Sequence, residues 1–425
     1  MRTTPYLTVA VIGAGIVGLT AALEILRAGH EVLIIEPAEP GGRQAASYGN
    51  GAWLSPGSVM PMSVPGLWRK VPGYLSDPTG PFTIRWQHLP RLAPWLLRFI
   101  LAGRDWARVE ACAAQRFPLC KDTVNAHAAL AEEAGVPELI RRAGLMYVYR
   151  DRSEFLAEER EWTLRSRFGV AFREVEEPEL RALEPHLGPE YRFGALLEEA
   201  AQVTDPGAYC RALADLAHRR GARRVTAAAT GFRREGQRLT AVTTTSGEIA
   251  CDRAVICAGA WSGPLARAAG DSVPLVSERG YHVVIPDPGI ELGRGLMPSD
   301  GKMAVVSTPQ GIRLAGQVEL ADLDAAPDWR RVDVLLSFAR DMLPALAGRI
   351  GQAQIDRWMG HRPSTPDGLP CVGPASQCAD IISCFGHAHT GLIQAPATAA
   401  MVAAMIDGRS PGIDPRPFSP RRFRS

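Results

Sequence analysis

The sequence predicts an α/β chain, α+β overall. A Rossmann-like dinucleotide-binding domain is interleaved with a domain built on a mixed or antiparallel sheet. Three observations predict this. A strand, a glycine turn, a helix and a second strand open the chain within residues 8–36. A further α/β pattern returns after residue 200. Strand signals without intervening helices fill residues 273–320.

Residues Thr8 to Ile12 read as a short buried strand, and Leu19 to Ala28 have helical spacing that stops at Gly29, a good residue just past a helix end. His30 to Glu36 is the next strand. Between the first strand and the helix stands Gly13-Ala14-Gly15-Ile16-Val17-Gly18. Gly13 permits the tight turn, Gly15 lets backbone approach a pyrophosphate, and Gly18 lets helix and strand pack closely. The helix N-terminus offers free N–H groups and partial positive charge to phosphates. Glu36 follows the first glycine by 23 positions, where a carboxylate accepts hydrogen bonds from a ribose diol and repels a 2′-phosphate. The motif alone does not separate FAD from NAD. The next stretch does: Pro37 through Ala52 is long, rich in small residues and neither helix nor strand. It suits a chain running beside an extended ligand, and FAD is long enough to need one.

Residues 57–184 carry Trp-, Pro- and Arg-rich stretches, helical periodicity at 105–135 and 151–167, and strand candidates at Leu145–Tyr149 and Val170–Val175, which together read as an inserted domain. Asp205-Pro206 starts a helix to Arg219, with Asp as N-cap and Pro at the first turn. Ser246-Gly247 marks a hairpin, and Asp252–Cys257 a buried strand followed by the sharp turn Ala258-Gly259. Strands are expected at Gly280–Ile285, Met303–Thr308 and Gly311–Gly316, and a helix over 330–348. Glycine-rich turns are expected at Gly360–Gly368, then a strand Ile381–Cys384, a turn through His387 and His389, and a helix over 394–406. The last six residues read as a frayed basic tail. The segments so defined are 1–56, 185–272 and 355–425 for the dinucleotide-binding domain, and 57–184 and 273–354 for the substrate domain.

Composition narrows the classes. The 425 residues are 46% hydrophobic and 22% charged, ordinary for a globular chain. Lys plus Arg number 47 against 45 Asp plus Glu, which gives no argument for nucleic acid. Eight scattered cysteines without a CxxC pair suit reduced thiols rather than a disulfide framework or a metal site. Neither a secretory signal nor a spanning segment is evident, so a cytoplasmic setting is expected. Leu92–Leu101, flanked by Arg91, Arg98 and Arg104, reads either as a helix packed on the protein or as one lying on a membrane surface.

The runs VAVIGAGIVGLTAALEILRAGHEVLIIE, SYGNGAWLSP, AVICAGAWS, RPSTPDGLPCVGP and FGHAHTGLIQAP occur in this order. Together they resemble the D-amino acid oxidase superfamily of FAD-dependent oxidoreductases. The Ser-Tyr-Gly-Asn-Gly-Ala run and Pro81-Phe-Thr-Ile-Arg-Trp86 resemble its bacterial D-amino acid dehydrogenase and D-hydroxyproline dehydrogenase branch. The resemblance implies an FAD-binding domain interleaved with a substrate domain. It implies cofactor contacts from Gly13 through Gly18, from Glu36 and Pro37, and from Gln44, Ala45, Ala46, Ser47, Asn50, Gly51 and Ala52. Further contacts fall at Ala229, Ala258, Gly259, His387, Thr390, Gly391 and Leu392. For the substrate carboxylate it points to Arg313 and Tyr281, since a guanidinium fork bonds a carboxylate bidentately. Arg362 either binds carboxylate or orders its turn, and His389 or His387 either contacts substrate or is structural. Covalent relatives carry Cys near the Arg-Pro turn, where Gly360 and His361 stand here, so non-covalent FAD is expected.

The activity so implied is oxidative deamination of a D-amino acid, D-proline or D-hydroxyproline included, by hydride transfer from Cα to flavin N5. The partners expected are a small amino acid or amine and an electron acceptor, a quinone or other carrier. Peripheral contact with the inner face of the membrane and a partner subunit are compatible with this. Two alternatives stand: a glycine- or sarcosine-type amine oxidase using oxygen, and a flavin-binding electron-relay subunit of a larger complex.

Overall fold

A computed structural model describes residues 6–70, 73, 80, 82–350 and 354–424. Pro81, in the run compared above, lies outside the described residues. Among the described residues, the first layer is a six-stranded sheet in the order Arg223–Val225, Glu31–Ile35, Thr8–Ile12, Arg253–Ile256, Ile381–Phe385, Cys371–Pro374. The first five strands run parallel and the last returns antiparallel. Parallel strands are covered on both faces, which is why TVAVI, EVLII and RAVI are nearly unbroken apolar runs. Helices Ile16–Ala28, Pro206–Arg219 and Gly391–Ile406 bury one face through Leu19, Leu213 and Val402. The hairpin sheet Ala229–Glu235, Arg238–Thr244, Gly247–Ala250 and the helix Ser262–Ala268 bury the other through Leu239, Val242 and Leu265. Asp205 caps its helix as expected, accepting from the Ala208 N–H at 2.8 Å.

The second layer is a mixed sheet in the order Asp356–Ser364, Val276–Ile285, Gly311–Leu320, Ala304–Thr308, Gly295–Pro298, Leu145–Tyr149, Phe193–Leu197, Arg173–Glu176. Phe82–Ile84 adds in parallel to Gly311–Leu320. Helix Arg330–Met342 packs on one face through Leu335, Leu336 and Ala339. Successive strand residues point to opposite faces, so Gly280, Ala304 and Ala315 look the other way, toward the six-stranded layer.

Several elements differ from the sequence reading. Phe193–Leu197 and Asp356–Ser364 belong to the mixed sheet, although they fall in segments assigned to the dinucleotide-binding domain. Residues 360–364 form a strand rather than a turn, paired along Val276–Ile285 with Gly360 opposite Gly280. Pro363 is tolerated there because this strand is at the sheet edge. The basic tail is anchored: Arg422 donates to Asp367 at 2.7 Å and to the Leu369 carbonyl at 2.7 Å. Helix Leu89–Ala102 buries Leu92, Trp95, Leu96 and Phe99 against the protein, while Leu97 and Leu101 are exposed. No helix of the described residues is long and apolar enough to cross a membrane.

The glycine turn sets the spacing of the first layer. Gly13 has φ +108°, and a Cβ there would lie 2.5 Å from the Cys257 carbonyl oxygen. A Cβ on Gly18 would lie 2.0 Å from the Gly13 carbonyl oxygen, which is backbone and cannot swing aside. Gly18→Ala is therefore expected to destabilise the ligand-free protein by about 1–3 kcal/mol, the usual cost of overpacking. Calorimetry on the stripped protein checks this, and an unchanged Tm would contradict the close approach.

Candidate active site

A single cavity of about 1270 Å³ runs between the two layers. Gly13, Gly15, Ile16, Val17, Glu36 and Pro37 line one end, and Ala229, Ala258 and Gly259 lie beside them. The Glu36 carboxylate is fixed by the Ala14 N–H at 2.8 Å and the Ala38 N–H at 3.2 Å. Gly15 provides no side-chain cap to helix Ile16–Ala28. Ser47 caps it instead: its Oγ accepts from the Ile16 N–H at 3.0 Å. This end fits an ADP-like moiety, because backbone amides, a helix N-terminus and a fixed carboxylate converge where three glycines leave room.

Residues 43–51 then lead along the cavity, with Gln44, Ala45, Ala46, Ser47, Asn50 and Gly51 in its wall. Asn50 Oδ1 accepts from the Ala52 N–H at 2.8 Å and holds Ala52 at φ +64°. At the far side stand Gly280, Gln317 and Arg362 from the mixed sheet, and His387, His389, Gly391 and Leu392 from the last helix and its turn. The cavity thus joins a nucleotide cradle to a sheet face carrying a guanidinium.

The predicted residues divide accordingly. Arg362 lines the cavity and lies flat across Gly280, where an added Cβ would meet its Nη2 at 2.2 Å. It donates to the Gln317 carbonyl at 3.0 Å and pairs with Glu278 at 3.4 Å. A bulge opposite Arg279–Tyr281 puts Gln317 at φ +58° and turns that carbonyl toward Arg362. His389 is exposed to the cavity, and the surrounding protein, then Arg116 and Arg362, push its pKa down.

Arg313 and Tyr281 are not among the described residues lining the cavity. Arg313 lies on the correct sheet face, but the residue 43–52 segment covers it. Its Nη1 donates to the carbonyls of Tyr48 at 3.3 Å and Asn50 at 3.4 Å. Tyr281 follows Gly280 and so points to the opposite face. There its hydroxyl donates to Glu319 at 2.6 Å and accepts from the Asp328 N–H at 2.9 Å. Ala14, Gly18, Ala52 and Thr390 likewise stand behind the wall rather than in it.

Among the neighbours that sequence reasoning missed are Trp53, Glu278 and Gln317 in the wall, and the buried Arg116 behind it. Trp53 lay in plain view in the SYGNGAWLSP run. Glu278 and Gln317 depend on the bulge and on edge pairing, which leave no mark in the sequence pattern. Arg116 lies on a helix remote in sequence from every motif.

Residues 8–405 match the family described as DAO: FAD dependent oxidoreductase. The chain is 50% identical over 415 residues to a protein named D-amino-acid oxidase from Bradyrhizobium diazoefficiens, covering 98% of each chain. It is 30% identical over 422 residues to one named D-amino acid dehydrogenase from a Methylobacterium species, covering 98% of this chain and 99% of that one. Among solved structures, glycine oxidase from Geobacillus kaustophilus superposes with TM-score 0.73 at 22% identity, covering 99% and 100% of the two chains. L-amino acid deaminase from Proteus vulgaris gives TM-score 0.75 at 16% identity, covering 100% and 98%; at such identities these two show the fold. The glycine turn, the fixed Glu36 and the two-layer cavity are those of a flavin-dependent oxidoreductase. The chain belongs to the DAO family of FAD-dependent oxidoreductases.

Two predictions follow from the buried groups. Tyr281→Phe strips the Glu319 carboxylate of a donor and the Asp328 N–H of an acceptor, and is expected to cost about 1–3 kcal/mol of stability. Substrate affinity should not move, and a change in affinity without a change in denaturant midpoint would place Tyr281 at the site after all. The second concerns pH. His127 is pushed down to about 4 and His282 and His387 to about 3, each by burial first. In the unfolded chain each titrates near about 6.5. The unfolded state therefore binds more protons below that pH, and stability is full above about 6.5 and lost as pH falls toward 4. With about 1.36 kcal/mol per proton per pH unit, three such groups give a slope of about 4 kcal/mol per pH unit near the middle of that window. Denaturant titrations from pH 7.5 to 4.5 check it, and a flat profile contradicts it.

Proposed function

We propose that this chain carries out FAD-dependent oxidative deamination of a D-amino acid, with cyclic D-amino acids such as D-proline or D-hydroxyproline within its range. The observation that carries the reading is the continuity of one cavity from the Glu36 cradle to Arg362. The names of the relatives at 50% and 30% identity support the substrate class. FAD is held without a covalent bond: Gly13, Gly15 and the helix N-terminus take its pyrophosphate, Glu36 its ribose, and residues 44–51 run beside the rest.

When bound, FAD supplies the two-electron acceptor for the substrate Cα–H. Arg362 holds the substrate carboxylate with a charge-assisted, two-point contact. It serves this role in place of Arg313 because it lines the cavity, whereas Arg313 lies behind the residue 43–52 segment. Leu96 and Phe99 close the wall with apolar surface and keep water from the reacting carbon. His389 faces the cavity beside two guanidiniums that lower its basicity, so the amine proton leaves to solvent before oxidation.

Two readings of the electron acceptor remain. The 50% identical relative is named an oxidase, which supports oxygen. The relatives near 30% are named dehydrogenases, which supports a quinone or carrier. Anaerobic titration of the purified flavoprotein with D- and L-amino acids, D-hydroxyproline, glycine and sarcosine tests the reading. Bleaching by D-isomers is expected, with aerobic peroxide formation marking oxygen as acceptor. Preference for glycine or sarcosine favours an amine oxidase, and no bleaching by any amine favours an electron-relay subunit. Arg362→Met should raise the half-saturating substrate concentration about tenfold or more at full FAD content, given about 1.5–3 kcal/mol for a charged hydrogen bond. Unchanged affinity would remove Arg362 from the proposed role.

A further inference from the structure

Arg116 takes no part in the chemistry above, yet it is one of the largest fully enclosed side chains, 1% exposed. It comes from helix Trp106–Cys120, in the segment between the dinucleotide-binding stretches. Its Nη1 donates to the Gly368 carbonyl at 2.7 Å, and its Nη2 to the Ser58 carbonyl and the Thr390 hydroxyl, both at 3.2 Å. All three acceptors are neutral, and Nε has no hydrogen-bond partner. Two carboxylates, Glu278 and Asp367, share a small cavity with it, and each is already engaged. Glu278 accepts from Ser364 at 2.7 Å and pairs with Arg362. Asp367 pairs with Arg422 at 2.7 Å. Each carboxylate thus has its own guanidinium, and among the described residues Arg116 has no ion-pair partner.

A buried, unpaired cation is costly, and a guanidinium cannot escape by losing its proton. Met or Leu would fill the same volume at less cost. The cation makes physical sense if a negative charge forms nearby. What lies nearby is the turn leading into helix Gly391–Ile406. Thr390, which Arg116 contacts, also donates to the His387 carbonyl at 2.9 Å, and His387, His389 and Gly391 line the main cavity. The free N–H groups of that helix add partial positive charge at the same wall.

We propose that Arg116 is the fixed counter-charge for the reduced flavin, acting through the turn 387–391. This rests on the reading that the cavity holds FAD. In the oxidation, the Cα–H bond breaks, both its electrons pass with the hydrogen to the oxidised ring, the substrate nitrogen becomes an iminium, and the ring gains one negative charge. Arg116 stabilises that charge from behind the wall without touching substrate, and so is a positioning residue for charge rather than a catalytic one. Its placement ties the flavin's potential to the inserted segment.

The test uses the FAD-loaded protein with Arg116→Lys, Arg116→Met and Arg116→Gln. The readouts are the flavin midpoint potential by dye equilibration and the affinity of the oxidised flavin for sulfite, which places a negative charge on the same ring. The neutral variants should shift the oxidised–reduced equilibrium at least tenfold toward the oxidised form, which for two electrons is 29.6 mV. They should weaken sulfite about tenfold, while the Lys variant stays within threefold of the parent. Neutral variants that hold FAD fully and keep both values within twofold of the parent overturn the proposal. Should they fail to hold FAD, Asp367→Asn in the parent chain decides: removing a carboxylate that shares the small cavity with Arg116 and does not line the main one should raise the potential and tighten sulfite, and no change or a fall overturns the proposal. If the parent chain itself binds no FAD, the underlying reading fails instead, and this is seen before any variant is made.

Discussion

Ten residues of irregular chain, 43–52, run between two sheets, and their backbone groups must be satisfied without a strand ladder. Buried peptide groups left unpaired are expensive, so the surroundings are built to satisfy them. Arg313 reaches out of the mixed sheet to the carbonyls of Tyr48 and Asn50, and the Trp358 indole donates to the Arg43 carbonyl at 2.7 Å. From within the segment, Ser47 caps the first helix and Asn50 closes its own turn. Gly49 lies against the Trp358 ring, where a Cβ would come within 2.0 Å. The cavity wall, the docking of the two layers and the burial of Arg313 all depend on this clamp.

That clamp explains where sequence reasoning succeeded and where it stopped. The βαβ unit was legible because one short motif encodes turn, helix start and acid at fixed spacing. The same holds for Leu145–Tyr149 and for the helix beginning at Asp205-Pro206, whose signals are local. Roles set by long-range packing were not legible. Arg313 occupies a strand position on the correct face, yet only the tertiary structure shows that the residue 43–52 segment lies over it. Tyr281 is one residue from the cavity in sequence and on the wrong side of the sheet in space. Residues 360–364 resembled a turn because Gly, His and Pro lack strand propensity, and an edge position overrides that propensity.

Two cations near the site share one pattern. Arg313 and Arg116 donate to carbonyls and a hydroxyl rather than to carboxylates, whereas Arg362 pairs with Glu278, which also accepts from Ser364. Neutral acceptors hold a guanidinium in place without cancelling its field, whereas an ion pair would hold it and cancel it. The fields of Arg313 and Arg116 are therefore kept, while that of Arg362 is partly offset by Glu278. The field also bears on the histidines: Arg116 adds to burial in lowering the pKa of His387, and Arg313 does the same for His282.

Neutral histidines next to buried cations constrain the chemistry further. A general base must lie near the operating pH to be useful, and the buried imidazoles of His282 and His387 do not. On the proposed function, the amine would be deprotonated through exchange with solvent, and the rising limb of the rate against pH would then belong to the substrate nitrogen. Substrates with different amine pKa values would shift that limb in step with their own acidity, whereas a protein base would fix it at one pH for all. On that proposal the protein would orient the carboxylate, exclude water and set the potential, and leave the proton of the amine to solvent.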